Sequence, residues 1–576
     1  MNKVYNLTAM LTGIVFFHSV LFAQKINETV DTRIDNMGYW KEKAAQGLVP
    51  VAPVIPFKQA EFKTSKIDAK SVLTENSTDV PVTSSTSVTQ SENSVFIDPN
   101  NADYVLNSNN STSWSGGSVG SLYGANYFQS ADAGTSWGGS VQGAGGANSG
   151  DPSTAISLSG RQYVNYISDP GGQGVSYSDN GSNWTAVTIA PNPGSLADKN
   201  HMWIDNSPSS TYEGNLYAAW TPFGGSNDAE IVVSRTTNDG VSWSTPLNIS
   251  AAVNAGSHNQ GVNIQTGPNG EVYAVWTIYD SWPSDETAIG FAKSLNGGAS
   301  YASATRIISN IRGIRTTETS KNHRVNSFPS MAVDISNGPN SGHIYVVWAN
   351  VGVPGTNTGT NISVYMIRSE DGGSSWSTPI RVNQNTYQEG KEAYFPWITC
   401  DPETGTLSVI FYDDRNTTSA SCEVFVANSF DGGDTWEDFV VSDVIFTPAP
   451  IPGLAADYMG DYLGITARGG KVYPCWTDNR GGLYMTYVSP FITNNLERPT
   501  DLSASLNDLN GHVDLSWNFN FVTGFLNFNI YRDGNLIGTT TSTNFTDNLP
   551  AYGYYDYEVT ALHNDGESVG DATTVQ

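Results

Sequence analysis

An eight-residue turn that keeps returning limits what this chain can fold into more than any other feature. Ser130-Ala131-Asp132-Ala133-Gly134-Thr135-Ser136-Trp137, Ser369-Glu370-Asp371-Gly372-Gly373-Ser374-Ser375-Trp376 and Ser429-Phe430-Asp431-Gly432-Gly433-Asp434-Thr435-Trp436 share the pattern Ser-x-Asp-x-Gly-x-x-Trp. Three looser copies carry Asp179, Gly181 and Trp184, then Asn238, Gly240 and Trp243, then Asn296, Gly298 and Tyr301. A short motif recurring at intervals of roughly 50–75 residues marks a repeat architecture. The composition of the turn has a physical cause. Asp or Asn bonds the backbone a few residues on, Gly accepts a positive φ, and Trp packs under the next strand as an apolar anchor.

Each repeat has the same parts around its turn. An apolar strand such as Ser330-Met331-Ala332-Val333-Asp334 leads, and a second strand ends in an aromatic, as in Leu216-Tyr217-Ala218-Ala219-Trp220 and Val272-Tyr273-Ala274-Val275-Trp276. A third strand runs into the turn and a fourth leaves it. Four short antiparallel strands per unit, repeated in a ring, describe β-propeller blades. First strands are expected near Ser94, Pro152, His201, Gly261, Ser327, Tyr394 and Tyr462. The expectation is therefore an all-β chain with a seven-bladed propeller over 93–492, six blades being the alternative. The seventh unit ends at Leu483 to Tyr487 without a turn motif, and a strand from 79–92 is the candidate to close it. From Arg498 the pattern changes to the longer alternating strands of a small β-sandwich over 498–576.

The ends and the charge point to export. Residues 1–23 read as a signal peptide, with Lys3, an apolar run from Leu11 to Phe22 and a cleavage point after Ala23. Residues 24–92 read as an N-terminal extension and a Ser/Thr-rich linker. No later segment has the length and apolarity of a transmembrane helix. The expected compartment is periplasmic, cell-surface or secreted, and the expected state is a monomer. A net charge of −28 argues against nucleic acid as a partner. Cys400, Cys422 and Cys475 have no spacing that suggests a disulfide framework or a zinc site.

The turns resemble the Asp-boxes, or BNR repeats, of the sialidase superfamily, and the resemblance covers most of 93–492. It implies that Asp132, Asp179, Asn238, Asn296, Asp371 and Asp431 are structural, on the face opposite the active site. Sialidases of that superfamily also have a first-blade Arg-Ile-Pro motif, whose arginine joins two others to clamp a carboxylate. Here that motif is missing, and Ser94 to Trp137 contains no arginine. The Trp517 strand and Tyr555-Asp556-Tyr557-Glu558-Val559 resemble a fibronectin type III module.

Propeller geometry directs attention to the loops leading into each first strand and out of each second strand. These supply candidate acid/base residues Asp198, His201, Asp414, Asp457 and Asp461. They also supply candidate substrate-binding residues Lys199, Arg324, Tyr394, Arg415 and Arg480. Each has a structural alternative: Asp413, Asp414 and Arg415, or Asp478 and Arg480, as ion pairs that fix loops, and His201 as a packing residue. The sequence indicates no cofactor other than Ca2+, for which Asp457 and Asp461 are a candidate pair. The expected partner is a polysaccharide or glycoconjugate. Three functions follow: a glycoside hydrolase acting on a complex or acidic polysaccharide, a polysaccharide lyase on the same scaffold, or a non-catalytic carbohydrate-binding or adhesion protein.

Overall fold

The computed structural model describes residues 30–63, 69, 71–72, 78–253, 256–315, 319–386, 390–493, 496–507, 511–564 and 566–576. The signal-peptide reading of 1–23 lies outside them. The chain is all-β apart from one helix among the described residues, α1, Met37–Ala45.

Seven antiparallel sheets follow one another along the chain, the middle five built of four strands in sequence order and the first and last of five strands. Their first strands are Val88–Asp98, Ser153–Ile156, Leu196–Ile204, His258–Thr266, Ser330–Val333, Ala393–Cys400 and Gly464–Arg468. Each packs against the first strand of the next sheet, and Gly464–Arg468 packs back against Val88–Asp98, which closes a ring. The outer strand of the last sheet is Val80–Pro81, paired with Met485–Val488. The chain therefore closes its ring by joining a strand from before the first sheet to the last one.

Second strands lie inside their sheets, and those after the first sheet are strongly apolar. Leu216–Phe223, Val272–Tyr279 and Lys471–Asp478 are buried almost throughout, and Trp276, Trp348 and Trp476 are fully buried. All three cysteines are free thiols.

The turns between third and fourth strands share the bonds made by the leading Ser or Thr and by the Asp or Asn two residues on, and the Trp indole adds a bond in the first and third. In the first, Ser130 Oγ donates to Asp132 Oδ1 at 2.8 Å and accepts from the Gly134 amide at 2.8 Å. Asp132 Oδ1 then accepts from the Ser136 amide at 2.9 Å, and Trp137 Nε1 donates to the Gly134 carbonyl at 3.1 Å. Asn238, Asn296, Asp371 and Asp431 occupy the Asp132 position in their own turns. The second turn requires a correction. Asn180, not Asp179, accepts the amides of Ser182 and Asn183, while Asp179 is ion-paired to Arg161 at 2.6 Å. The acceptor lies two residues after the leading Ser or Thr, and that position here is Asn180.

Residues 500–575 form two further sheets, Thr500–Asn507, His512–Asn518 and Asn544–Asn548 against a sheet centred on Phe525–Arg532 and Tyr555–His563. They enclose Trp517, Phe528, Ile530, Tyr557 and Val559.

Candidate functional site

The upper mouth of the ring, where the first strands begin, is shaped by β-bulges. Register shifts interrupt the pairing of Val88–Asp98 at Glu92, of Leu196–Ile204 at Lys199, of His258–Thr266 at Gly261 and of Ala393–Cys400 at Phe395. Glu92 (φ 53°), Lys199 (φ 50°), Gly261 (φ 69°) and Phe395 (φ 54°) all have left-handed backbone. Asp151, just before the second sheet's first strand, has φ 57°. A bulge re-aims a side chain at a local cost in pairing. At Gly261 an added Cβ would lie 2.2 Å from the Phe328 ring, so only glycine fits. The bulges at Glu92 and Lys199 bring charged groups from different sheets together.

Lys199 is the hub. Its Nζ lies 2.5 Å from Asp461 Oδ2, 3.3 Å from Glu92 Oε1 and 3.6 Å from Asp151 Oδ2. Asp461 accepts two further bonds, from Arg324 Nε at 3.0 Å and Nη2 at 2.5 Å. Arg324 also lies 3.3 Å from Asp35 Oδ1, and its Nη2 donates to the Asp35 carbonyl at 2.9 Å. Arg315 grips the same carboxylate with both Nη atoms, Nη1 donating to Oδ2 at 2.9 Å and Nη2 to Oδ1. Gln260 adds a bond to Asp35 Oδ2 at 3.2 Å. Asp198 accepts from the Asp35 amide at 2.9 Å and from Gln260 at 3.2 Å through Oδ2, while its Oδ1 has no partner among the described residues.

Five carboxyl groups (Asp35, Glu92, Asp151, Asp198, Asp461) thus meet three cations (Lys199, Arg315, Arg324) in a buried space. Burial of that many charges is tolerable only if they balance. Burial, reinforced by Asp151, pushes Asp198 up to about 8. Burial, Asp151 and Asp461 likewise push Glu92 well above the usual carboxylate range, against the pull of Lys199. Asp461 is buried too, but Arg324 and Lys199 overcome that and hold it ionised, below the usual range. Asp35 is held low in the same way by Arg315 and Arg324. Two carboxyls in one site with pKa values driven apart is the arrangement that supports acid and base roles.

Of the residues chosen from sequence, Asp198, Lys199, Arg324 and Asp461 converge here. The others do not. Asp414 is fully buried, bonded to Lys321 Nζ at 2.8 Å and to the Glu392 amide at 2.8 Å. Arg415 lies between Asp413 and Asp438, each 2.7 Å away, over the Phe425 ring. Arg480 is held by Asp478 and Asp79, each at 2.7 Å, over Tyr487. These are the loop-fixing pairs. Tyr394 shares a 2.9 Å bond with His323 Nε2 inside an apolar cluster. Asp457 is exposed and contributes its carbonyl to the Arg324 amide at 2.6 Å. Because Arg324 and Lys199 take the Asp461 oxygens, Asp457 and Asp461 do not form a calcium pair. His201 accepts from the Ile264 amide through Nδ1 at 3.2 Å, and burial lowers it to about 3, so it is neutral and packs by Trp203 and Trp397. Among the described residues no cluster of three or more metal-ligating side chains occurs.

Sequence reading missed Asp35, Glu92 and Arg315. Asp35 lay in an extension read as a connector. Glu92 stood at the assumed boundary of the repeats, and Arg315 in an irregular loop.

The ring also holds a cavity of about 460 Å³ on the side of the Asp-containing turns, walled by the ends of all seven first strands. Trp203, Trp397, Val95 and Ile465 line it, with the Arg468–Glu403 pair (2.9 Å) at its rim. The buried charge cluster lies at the opposite mouth.

No protein-family model matches the sequence, and no curated protein matches it. Among solved structures the chain is similar to an ulvan lyase of polysaccharide lyase family PL25 bound to -[GlcA(1-4)Rha3S]-, at 10% identity over 75% of this chain and 96% of that one, with a TM-score of 0.39. It is similar to a mutant Aleuria aurantia lectin in complex with α-methyl-L-fucoside, at 13% identity over 63% and 97%, with a TM-score of 0.36. A stretch covering 14% of this chain is 34% identical to 90% of an Fn3-like protein from Clostridium thermocellum, with a TM-score of 0.13.

Proposed function

We propose that the chain is an exported, glycan-active protein: a seven-bladed Asp-box β-propeller followed by a fibronectin type III-like module, acting as a glycoside hydrolase on an acidic polysaccharide. The observation that carries this reading is Asp198. It is a buried carboxyl pushed up to about 8, with one oxygen unpartnered among the described residues, beside two arginines that grip a carboxylate. Near neutral pH such a group is a proton donor, and a donor is what a departing glycosidic oxygen needs.

In this reading Arg315 and Arg324 bind the acidic group of the sugar by charge-assisted, partly bidentate bonds. Asp198 protonates the leaving oxygen. A water molecule adds to the anomeric carbon as the glycosidic C–O bond breaks and passes its proton to solvent, and ionised Asp461 acts through space on the positive charge that develops there, its oxygens staying with Arg324 and Lys199. Reducing-end release from uronate-containing polysaccharides tests the proposal, with Asp198→Asn expected to abolish it. Products carrying the ultraviolet absorbance of an unsaturated uronate would instead identify elimination. Tight binding of every polymer with no product would leave a binding or adhesion protein.

A further inference from the structure

The two-arginine clamp is filled by the chain itself. Asp35 belongs to neither the ring nor the terminal sandwich. It lies on a strap, residues 30–62, that crosses the upper mouth. The strap enters at Arg33, which pairs with Asp31 and Asp228 at the rim, and Thr32 Oγ1 accepts from Trp282 Nε1 at 2.9 Å. It drops into the mouth at Ile34, Asp35, Asn36 and Met37, all nearly inaccessible. Asn36 caps α1 by accepting from the Gly38 and Tyr39 amides, and its Nδ2 donates to the Ser149 carbonyl at 2.7 Å. The strap leaves along the rim through a single bridge from Val51 to Ala455 and a two-residue strand, Glu61–Phe62, paired with Val444–Ile445.

Two observations separate this strap from an ordinary structural extension. First, its hold is uneven. Val51, Val54, Phe57 and Phe62 are 44–66% exposed, and outside the dip into the mouth its buried apolar side chains are the small Ala52 and Ala60. Second, what the dip inserts is a carboxylate. Among the described residues Asp35 supplies the carboxylate paired with Arg315, whose side chain is 8% exposed. Without the strap, Arg315 would lose the carboxylate that its guanidinium hydrogen-bonds, and among the described residues the more distant pull of Asp461 and Glu286 would remain. Arg315 is otherwise steadied by Trp282 under its plane and by Glu286, whose Oε2 accepts its main-chain amide at 3.3 Å. Asp198 is covered by the same dip, since its Oδ2 accepts the Asp35 amide.

We propose that the strap is a built-in, displaceable occupant of the site, with the Asp35 carboxylate standing where a carboxylate of an acidic sugar binds. The chain as drawn is therefore the closed form. Displacing or cutting the strap frees Arg315 and Arg324 for ligand and uncovers Asp198. The inference rests on the reading of the mouth as an acidic-glycan site, and it names uronic acids as the ligand class.

The test is calorimetric titration of the full-length chain and its Asp35→Ala variant with sodium D-glucuronate, with D-glucose as the neutral control. The expected result is at least tenfold tighter glucuronate binding by Asp35→Ala and no difference for glucose. Equal glucuronate affinity in the two proteins would overturn the proposal. If Asp35→Ala fails to fold, as judged by near-ultraviolet circular dichroism, the same titration is made on the native chain nicked at the exposed Lys58. There too a gain on nicking supports the strap, and no gain overturns it. Polymer cleavage separates this inference from the one it rests on. Glucuronate binding by Asp35→Ala without cleavage of any polymer keeps the strap and removes the hydrolase. Cleavage at equal rates by wild type and Asp35→Ala keeps the hydrolase and removes the strap.

Discussion

Arg315 and Asp35 stand 280 positions apart in the chain and meet at the mouth of the ring through both guanidinium Nη atoms and both carboxylate oxygens. The pair joins an N-terminal strap to the loop before the fifth sheet, and it is buried. Truncating one partner of a buried pair leaves the other charge stranded, at a cost of about 3–5 kcal/mol, whereas removing both costs far less. Arg315→Ala is therefore expected to destabilise the fold by about 3 kcal/mol, as Arg324 still faces Asp35. The double variant Asp35→Ala/Arg315→Ala should recover most of that loss. A double-mutant cycle in urea, with additive effects of the two substitutions, would rule out the coupling.

The raised pKa of Asp198 gives a stability signature with a definite sign. The folded protein holds this proton up to about 8, whereas the unfolded chain releases it near 3.8. Native Asp198 therefore binds more protons than unfolded Asp198 across that window, and its contribution is lost as pH rises. Glu92, also raised, acts in the same direction. The urea midpoint is expected to fall between pH 6.5 and 8 (a window set by the ordinary histidine pKa of about 6.5 and the Asp198 value). Asp198→Asn should flatten that slope.

On the acid side the histidines dominate. Burial lowers His201 to about 3, His323 to about 3 and His258 to about 4, from 6.5. Each is neutral in the fold and charged once unfolded, so the stability it contributes above 6.5 is lost as pH falls. Asp461 and Asp35, held low by their arginines, add to the loss below the ordinary aspartate range. Stability should decline from pH 6.5 to 4, and replacement of His323 by Gln should make that decline shallower. An unchanged slope would contradict the neutral assignment.

The bond pattern of the second turn separates two neighbouring residues. Asn180 accepts two amides, whereas Asp179 makes a surface ion pair. Asn180→Ala should cost about 1 kcal/mol through the lost turn bonds, and Asp179→Ala should be close to neutral. Thermal denaturation of the two variants checks this, and a larger drop for Asp179→Ala would reverse the assignment.

The repeating parts were the legible ones, because they follow from local chemistry. A Ser-x-Asp-x-Gly-x-x-Trp turn carries its own hydrogen bonds, and a strand such as Ile344 to Trp348 states its burial in its side chains. The buried charge cluster was legible only where charge stood beside a strand start. Asp198, Lys199, Arg324 and Asp461 were found that way. Arg415 and Arg480 satisfied the same criterion, yet they turn to carboxylates on their own sheets, and no one-dimensional pattern tells inward from outward at a loop. Glu92 depends on a bulge that inverts the pleat. Asp35 depends on a strap folding back across the ring. Both are long-range choices made by packing, and neither leaves a periodic trace in the sequence.

Reducing-end release from glucuronate-containing polysaccharide by the Asp35→Ala and Asp35→Ala/Asp198→Asn chains, assayed side by side at neutral pH, tests the central claim most directly. The account predicts product from the first, none from the second, and no ultraviolet-absorbing unsaturated ends from either. Equal release from both chains would contradict it.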